Sequence, residues 1–153
     1  MKIHPSLLRA ALAVAAVCSF GAAQAQMTPV GLWHSVDDKT GEPKGEIRIA
    51  DVGAGVLNGK VERSLLKDSD VGEKCDKCTD DRKDKPKIGL EIIRGAHKAE
   101  GKEVWEGGSI VDPDNGTVYK LRMTPIEGGK KLEVRGFIGF ALLGRTQTWV
   151  RVQ

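Results

Sequence analysis

Apolar and polar residues alternate with a period of two along most of this chain, which predicts strands rather than helices. In Glu46-Ile47-Arg48-Ile49 the charges fall on one face and the isoleucines on the other. In the run Thr117–Met123, Tyr119, Leu121 and Met123 share a face opposite Lys120 and Arg122. Leu132 and Val134 alternate in the same way with Glu133 and Arg135. Further runs at Leu32–Val36, Val56–Leu66, Ile88–Arg94, Glu103–Val111 and Arg145–Val152 bring the expectation to about eight strands. Asp112-Pro113-Asp114-Asn115-Gly116 and Glu127-Gly128-Gly129-Lys130 lie between alternating runs, where hairpin turns need residues that tolerate positive φ. No segment keeps a helical period over three turns, so the fold class is all-β. An antiparallel sheet of this length closes into a barrel to remove its edges. Closure sets the first strand beside the last, with Arg151 on the face of Trp33 and Trp149 also at the seam.

One segment breaks the alternation. Lys67–Lys87 is charge-dense, polar and about twenty residues long, and it reads as a functional or flexible loop outside the core. It carries Cys75 and Cys78, for which a structural disulfide is the favoured reading in an exported protein. The ring so closed is small, ~2 kcal/mol on the chain-entropy model, and is expected to stiffen the loop rather than support the barrel. A zinc site is an alternative that needs two more ligands, with only His34 and His97 on offer besides carboxylates. A redox role is the other alternative, and it lacks the strand-to-helix context of such motifs.

The amino terminus changes the picture of where the protein works. Lys2 and Arg9 precede the apolar stretch Ala10–Val17, and Ala23-Gln24-Ala25 places small residues ahead of a cleavage point. Residues 1–25 therefore read as a signal peptide and residues 26–153 as one β-barrel domain, periplasmic or secreted. The apolar stretch is shorter than the ~20 residues of a membrane span, and Val17 is a poor neighbour for lipidation at Cys18. Loss of Lys2 and Arg9 from 24 basic residues leaves 22 against 21 acidic, a net charge of +1. With few aromatics and no dense basic run, nucleic acid is not an expected partner.

Motifs for chemistry are sparse. Asp112–Gly116 has oxygen ligands at alternate positions, but Met123 stands where a calcium loop of the EF-hand type needs an acid, so a turn is favoured. Asp37 and Asp38, before Thr40 and Gly41, form either a turn or a paired-carboxylate site. No serine sits in a Gly-x-Ser-x-Gly elbow, and no glycine-rich phosphate loop occurs. No cofactor, metal or catalytic residue is assigned, and an enzyme is the less favoured class. The segment Gly136–Gly144 stands apart because it has no charge. It reads as a buried strand end, or as an apolar lip or contact surface in which Phe137, Phe140, Leu142 and Leu143 flank a cavity while Arg135 and Arg145 hold an anionic head group.

Several of these elements together resemble the exported bacterial DUF2147 family, a lipocalin-like group. They are Gly31-Leu32-Trp33 with Asp37-Asp38 and Thr40-Gly41, the Cys75 to Cys78 pair, and Trp105 with Gly107-Gly108. Asp112-Pro113 with Gly116 and Tyr119 follows, then Arg135-Gly136, Gly144-Arg145 and Trp149-Val150-Arg151. The resemblance implies a calycin-type antiparallel barrel in the cell envelope with an interior site for a small apolar or amphipathic molecule. It carries over no catalytic residues. The sequence ends at Gln153, without room for the C-terminal helix of lipocalins. Three functions are thus expected in descending order: a small-ligand carrier, a filled barrel whose surface or Lys67–Lys87 loop meets an envelope protein, and a hydrolase or isomerase using Asp37, Asp38 and Arg145.

Overall fold

The computed structural model describes residues 27–66, 72–140 and 142–152, and the signal-peptide reading of residues 1–25 lies outside them. Eight antiparallel strands follow one another: β1 (Gly31–Val36), β2 (Pro43–Asp51), β3 (Leu57–Ser64), β4 (Glu91–Lys98), β5 (Trp105–Val111), β6 (Val118–Ile126), β7 (Lys131–Phe137) and β8 (Gly144–Arg151). Each pairs with its neighbour in sequence, and β1 pairs with β8 to close the barrel. The closing seam is short, matching Trp33 with Arg151 and His34 with Val150, whereas β7 and β8 pair in unbroken register from Lys131–Val150 to Phe137–Gly144. Among the described residues no helix is long and apolar enough to cross a membrane.

The period-two pattern builds the wall as expected. Ile47 and Ile49 of β2 point into the core, while Arg48 reaches across to Glu62 of β3 at 2.8 Å on the outer face. Ile93, Leu121, Met123 and Leu132 fill the interior between the two ends. One strand is displaced from its expected position. β4 runs from Glu91 to Lys98 rather than from Ile88 to Arg94, because Gly95 takes φ = +73° within the strand and does not end it.

The long connection from β3 to β4 corrects a second expectation. Its described part, residues 72–90, is not confined to the surface. Cys75 and Cys78 are disulfide-bonded and belong to the buried apolar cluster, together with Leu90. Arg82 is only 3% exposed, and burial is tolerable because its guanidinium meets the Asp80 carboxylate and donates to the Glu91 carbonyl at 3.2 Å. A high count of charges hid a segment whose charges pair with one another and whose cystine is apolar. Gly116 shows how tightly this cap sits on the β5–β6 turn. Its φ is +74°, and a Cβ there would lie 2.0 Å from the Lys77 carbonyl oxygen. Any larger residue would push cap and turn apart.

Candidate functional site: a barrel closed at one end and open at the other

Antiparallel order sorts the connections between two ends. The chain entering β1 and the β2–β3, β4–β5 and β6–β7 turns share one end. The β1–β2, β3–β4, β5–β6 and β7–β8 connections share the other. At the first end Trp33 is fully buried and donates its indole N–H to the Pro29 carbonyl at 2.7 Å. The Arg151 guanidinium lies 4.1 Å from the centre of that ring. It also donates to the carbonyls of Gly129, Val30 and Thr28 at 2.5, 2.8 and 2.5 Å. Three carbonyls and one π-face answer a charge taken out of water, although burial still lowers the Arg151 pKa. The expected seam contact is present, and this end is sealed.

At the other end the interior opens into a cavity of about 330 Å³. Its apolar wall includes Ile47, Val61, Ile92, Ile110, Val134 and Trp149. Gly136 lets Tyr119 pack close against β7 at the cavity wall, because even a methyl group there would meet the Tyr119 side chain at 3.3 Å. Arg145, Gln147 and Trp149 recur at every second position of β8 and so share its inward face. They form a linked polar line up the wall. The Trp149 indole N–H donates to Gln147 Oε1 at 2.8 Å. That bond fixes the amide orientation, so Gln147 Nε2 donates to Asp38 Oδ1 at 2.7 Å. Arg145 Nη1 completes the line at 2.6 Å from Asp38 Oδ2. Both oxygens of this β1–β2 loop carboxylate are therefore engaged by β8.

A second polar group crosses the mouth. Asp114 of the β5–β6 turn pairs with Lys44 of β2 and, at 2.6 Å, with Lys87, which also meets Glu73 at 2.8 Å. Burial opposes ionisation of Asp114, but the two ammonium groups outweigh it and hold its pKa below the ordinary 3.8. Burial likewise works against the Lys87 charge, and its two carboxylate partners raise its pKa all the same. Asp37, next to Asp38 at the cavity edge, is committed to the loop. Its Oδ1 accepts from the backbone N–H groups of Thr40 and Lys39, and these bonds lower its pKa. Asp37 thus makes a turn, while Asp38 and Arg145 meet at the cavity. Among the described residues no group of three or more His, Cys, Asp or Glu side chains is placed to hold a metal ion.

Of the residues expected to flank the opening, only Arg145 lines the cavity. Arg135 and Phe137 fall on the outward phase of β7, where Arg135 donates to Thr146 Oγ1 at 2.8 Å. Phe140, Leu142 and Leu143 stand in the β7–β8 turn at the rim, exposed to solvent rather than folded inward. Trp149, expected at the seam with Trp33 and Arg151, sits one inward position above Arg151 and forms the base of the cavity. The sequence pattern assigns no site role to Gln147 or Lys87, and it marks Tyr119 only as an inward-face residue and an element of the family resemblance. The alternation of β8 already contained Gln147, two positions from each of Arg145 and Trp149.

The fold has a counterpart among solved structures. A protein from Helicobacter pylori, HP1028, described as belonging to the lipocalin family, superposes with a TM-score of 0.68 over 81% of this chain and 82% of its own. The two share 15% identity, so the likeness is one of fold. No curated protein matches the chain. The model of the family described as "Uncharacterized protein conserved in bacteria (DUF2147)" matches residues 31–151, from the first residue of β1 to the last of β8, and the chain belongs to that family.

Proposed function

We propose that this protein is exported to the cell envelope and binds one small amphipathic molecule in the open end of its barrel. The observation that carries the reading is the cavity itself: apolar at depth, with Arg145, Gln147 and Asp38 ranged along one wall towards the rim. An eight-stranded barrel either fills with side chains or holds one small ligand. Here the inward positions near the mouth include Ser35, Gly45 and Gly136, which are too small to fill it. A volume of about 330 Å³ is at the low end of the ~300–1,000 Å³ typical of ligand sites. That suits a single short chain or a small ring system, with its polar head beside Arg145 and Gln147. A two-chain lipid is too large. Export is supported by the pattern of residues 1–25 and by the Cys75–Cys78 disulfide, which belongs to oxidising compartments.

Native mass spectrometry of protein purified from its own envelope tests this. The expected spectrum shows one adduct per chain, lighter than a phospholipid and released on unfolding. A ligand-free spectrum, with no binding of an apolar fluorescent probe, would remove the carrier reading in favour of an interaction module.

A further inference from the structure

The β7–β8 turn is the least protected apolar feature of the molecule. Ile138, Phe140, Leu142 and Leu143 are 58%, 81%, 91% and 71% exposed. The strands below it stay paired up to Phe137 and Gly144, so the turn is held at the top of a rigid ribbon. Two of its backbone N–H groups are satisfied within it, Ile138 to the Leu143 carbonyl at 3.3 Å and Leu143 to the Phe140 carbonyl at 3.0 Å. Such a turn can leave water with less loss than an open loop, because unsatisfied backbone groups are what make hydrocarbon costly. Below the turn, register places Lys120 beside Phe137 on the outer wall, with Arg135 two residues further along β7. The acid on that outward phase of β7, Glu133, lies two positions further still from the tip. The apolar point is therefore flanked by cations on its β6–β7 side, while the acids at the same end, Asp38 and Asp114, are paired with Arg145 and with Lys44 and Lys87.

We propose that this tip docks the barrel on an anionic lipid surface, mouth towards the bilayer. An apolar point inserts at the acyl boundary while lysine and arginine meet anionic headgroups, as interfacial anchors do. A second copy of the chain fits less well. Four side chains on a convex turn expose a few hundred Å², short of the roughly 800 Å² per partner of a stable protein interface. The inference stands on the tip and not on the cavity, so docking and ligand binding can fail separately.

The test is flotation of the full chain with vesicles of phosphatidylcholine alone or mixed with phosphatidylglycerol. Wild type and a Leu142→Ser, Leu143→Ser variant are compared side by side, so that any contribution of residues 1–25 cancels. Wild type is expected to partition roughly tenfold more strongly onto the mixed vesicles, and the variant to lose roughly tenfold of that binding. Both positions are exposed, and unchanged circular dichroism would establish that the variant folds. Independently, Leu142→Trp places an exposed indole among three buried native tryptophans. Its emission is expected to shift to the blue on addition of the mixed vesicles. Equal partition of wild type and variant, or no shift from Leu142→Trp, overturns the proposal. So does a lipid-free dimer that the double serine variant abolishes, because a second copy would then cover the tip.

Discussion

At the end where β1 begins, the inward positions carry Trp33 and Arg151, large side chains whose polar atoms are all directed at neighbouring carbonyls. At the end where β1 finishes, the same inward phase carries Ser35, Gly45, Gly136 and Gln147, and the space left between them is the cavity. Strand number and closure are common to both ends. Side-chain volume at a few alternating positions decides which end is solid, and that choice gives the barrel a floor and a mouth. The polar groups differ accordingly. Those of the floor are buried or half-buried and tie β8 to the segment that enters β1, whereas those of the mouth are half-exposed and join loops that are far apart in sequence.

The comparison predicts that damage at the floor costs more than damage at the mouth. Trp33→Ala should give the largest loss, about 3–5 kcal/mol for a fully buried aromatic, read as a lower midpoint in urea denaturation. An effect below ~1 kcal/mol would show that the floor is not a keystone. Replacing both Cys75 and Cys78 by alanine should cost ~2 kcal/mol from chain entropy alone, and somewhat more because the sulfurs are buried in the core cluster. If denaturation were unchanged, the cap would be an ornament on the barrel.

Smaller effects are expected at the mouth. Asp38→Asn keeps the size of the side chain but removes the charge that Arg145 meets. It should shift stability by less than ~1 kcal/mol, since that pair is exposed, while changing ligand affinity several-fold. A variant with unaltered binding would remove the polar line from the account of the site. The Lys44–Asp114–Lys87 group should give a still slighter, pH-dependent term. Because the folded pKa of Asp114 is depressed, its contribution is complete above the ordinary carboxylate value of about 4 and disappears as pH falls through the folded value. For Lys87 the folded pKa is raised, so its contribution is complete below the ordinary lysine value of about 10.4 and disappears as pH rises through the folded one. An Asp114→Asn variant should lose the acid limb of this dependence in thermal melts taken across pH.

Much of the barrel could be read from the residues because its wall follows the simplest of patterns. Ile47 with Ile49, Leu121 with Met123 and Leu132 with Val134 each mark an inward phase, and the Trp33–Arg151 contact follows from closing the sheet. Where the reading failed, a local signal was outvoted by tertiary context. Gly95 looks like the end of a strand, yet β4 runs through it to bury Ala96. The charges of the β3–β4 connection look solvated, yet Arg82 is buried because Asp80 lies two residues away and Glu91 offers its carbonyl. The site was harder to read still. The sequence sets Arg145 beside the charge-free run before it and, in the least favoured reading, with Asp37 and Asp38; the structure brings Asp38 to it and adds Gln147 and Trp149 on the alternate positions after it. Phe140, Leu142 and Leu143 are apolar, but nothing in their types distinguishes lining a cavity from projecting beyond its rim.

The central claim is that the mouth, and not the tip, takes up the ligand. Titration of an apolar fluorescent probe into wild type, a Val61→Trp variant and the Leu142→Ser, Leu143→Ser variant tests it most directly. Val61 lies on the cavity wall, so the larger indole fills the space from inside. The account predicts one probe per wild-type chain, binding weakened at least ~tenfold by Val61→Trp, and full binding retained by the double serine variant. Undiminished binding in Val61→Trp, or loss of binding only when the tip is changed, would contradict it.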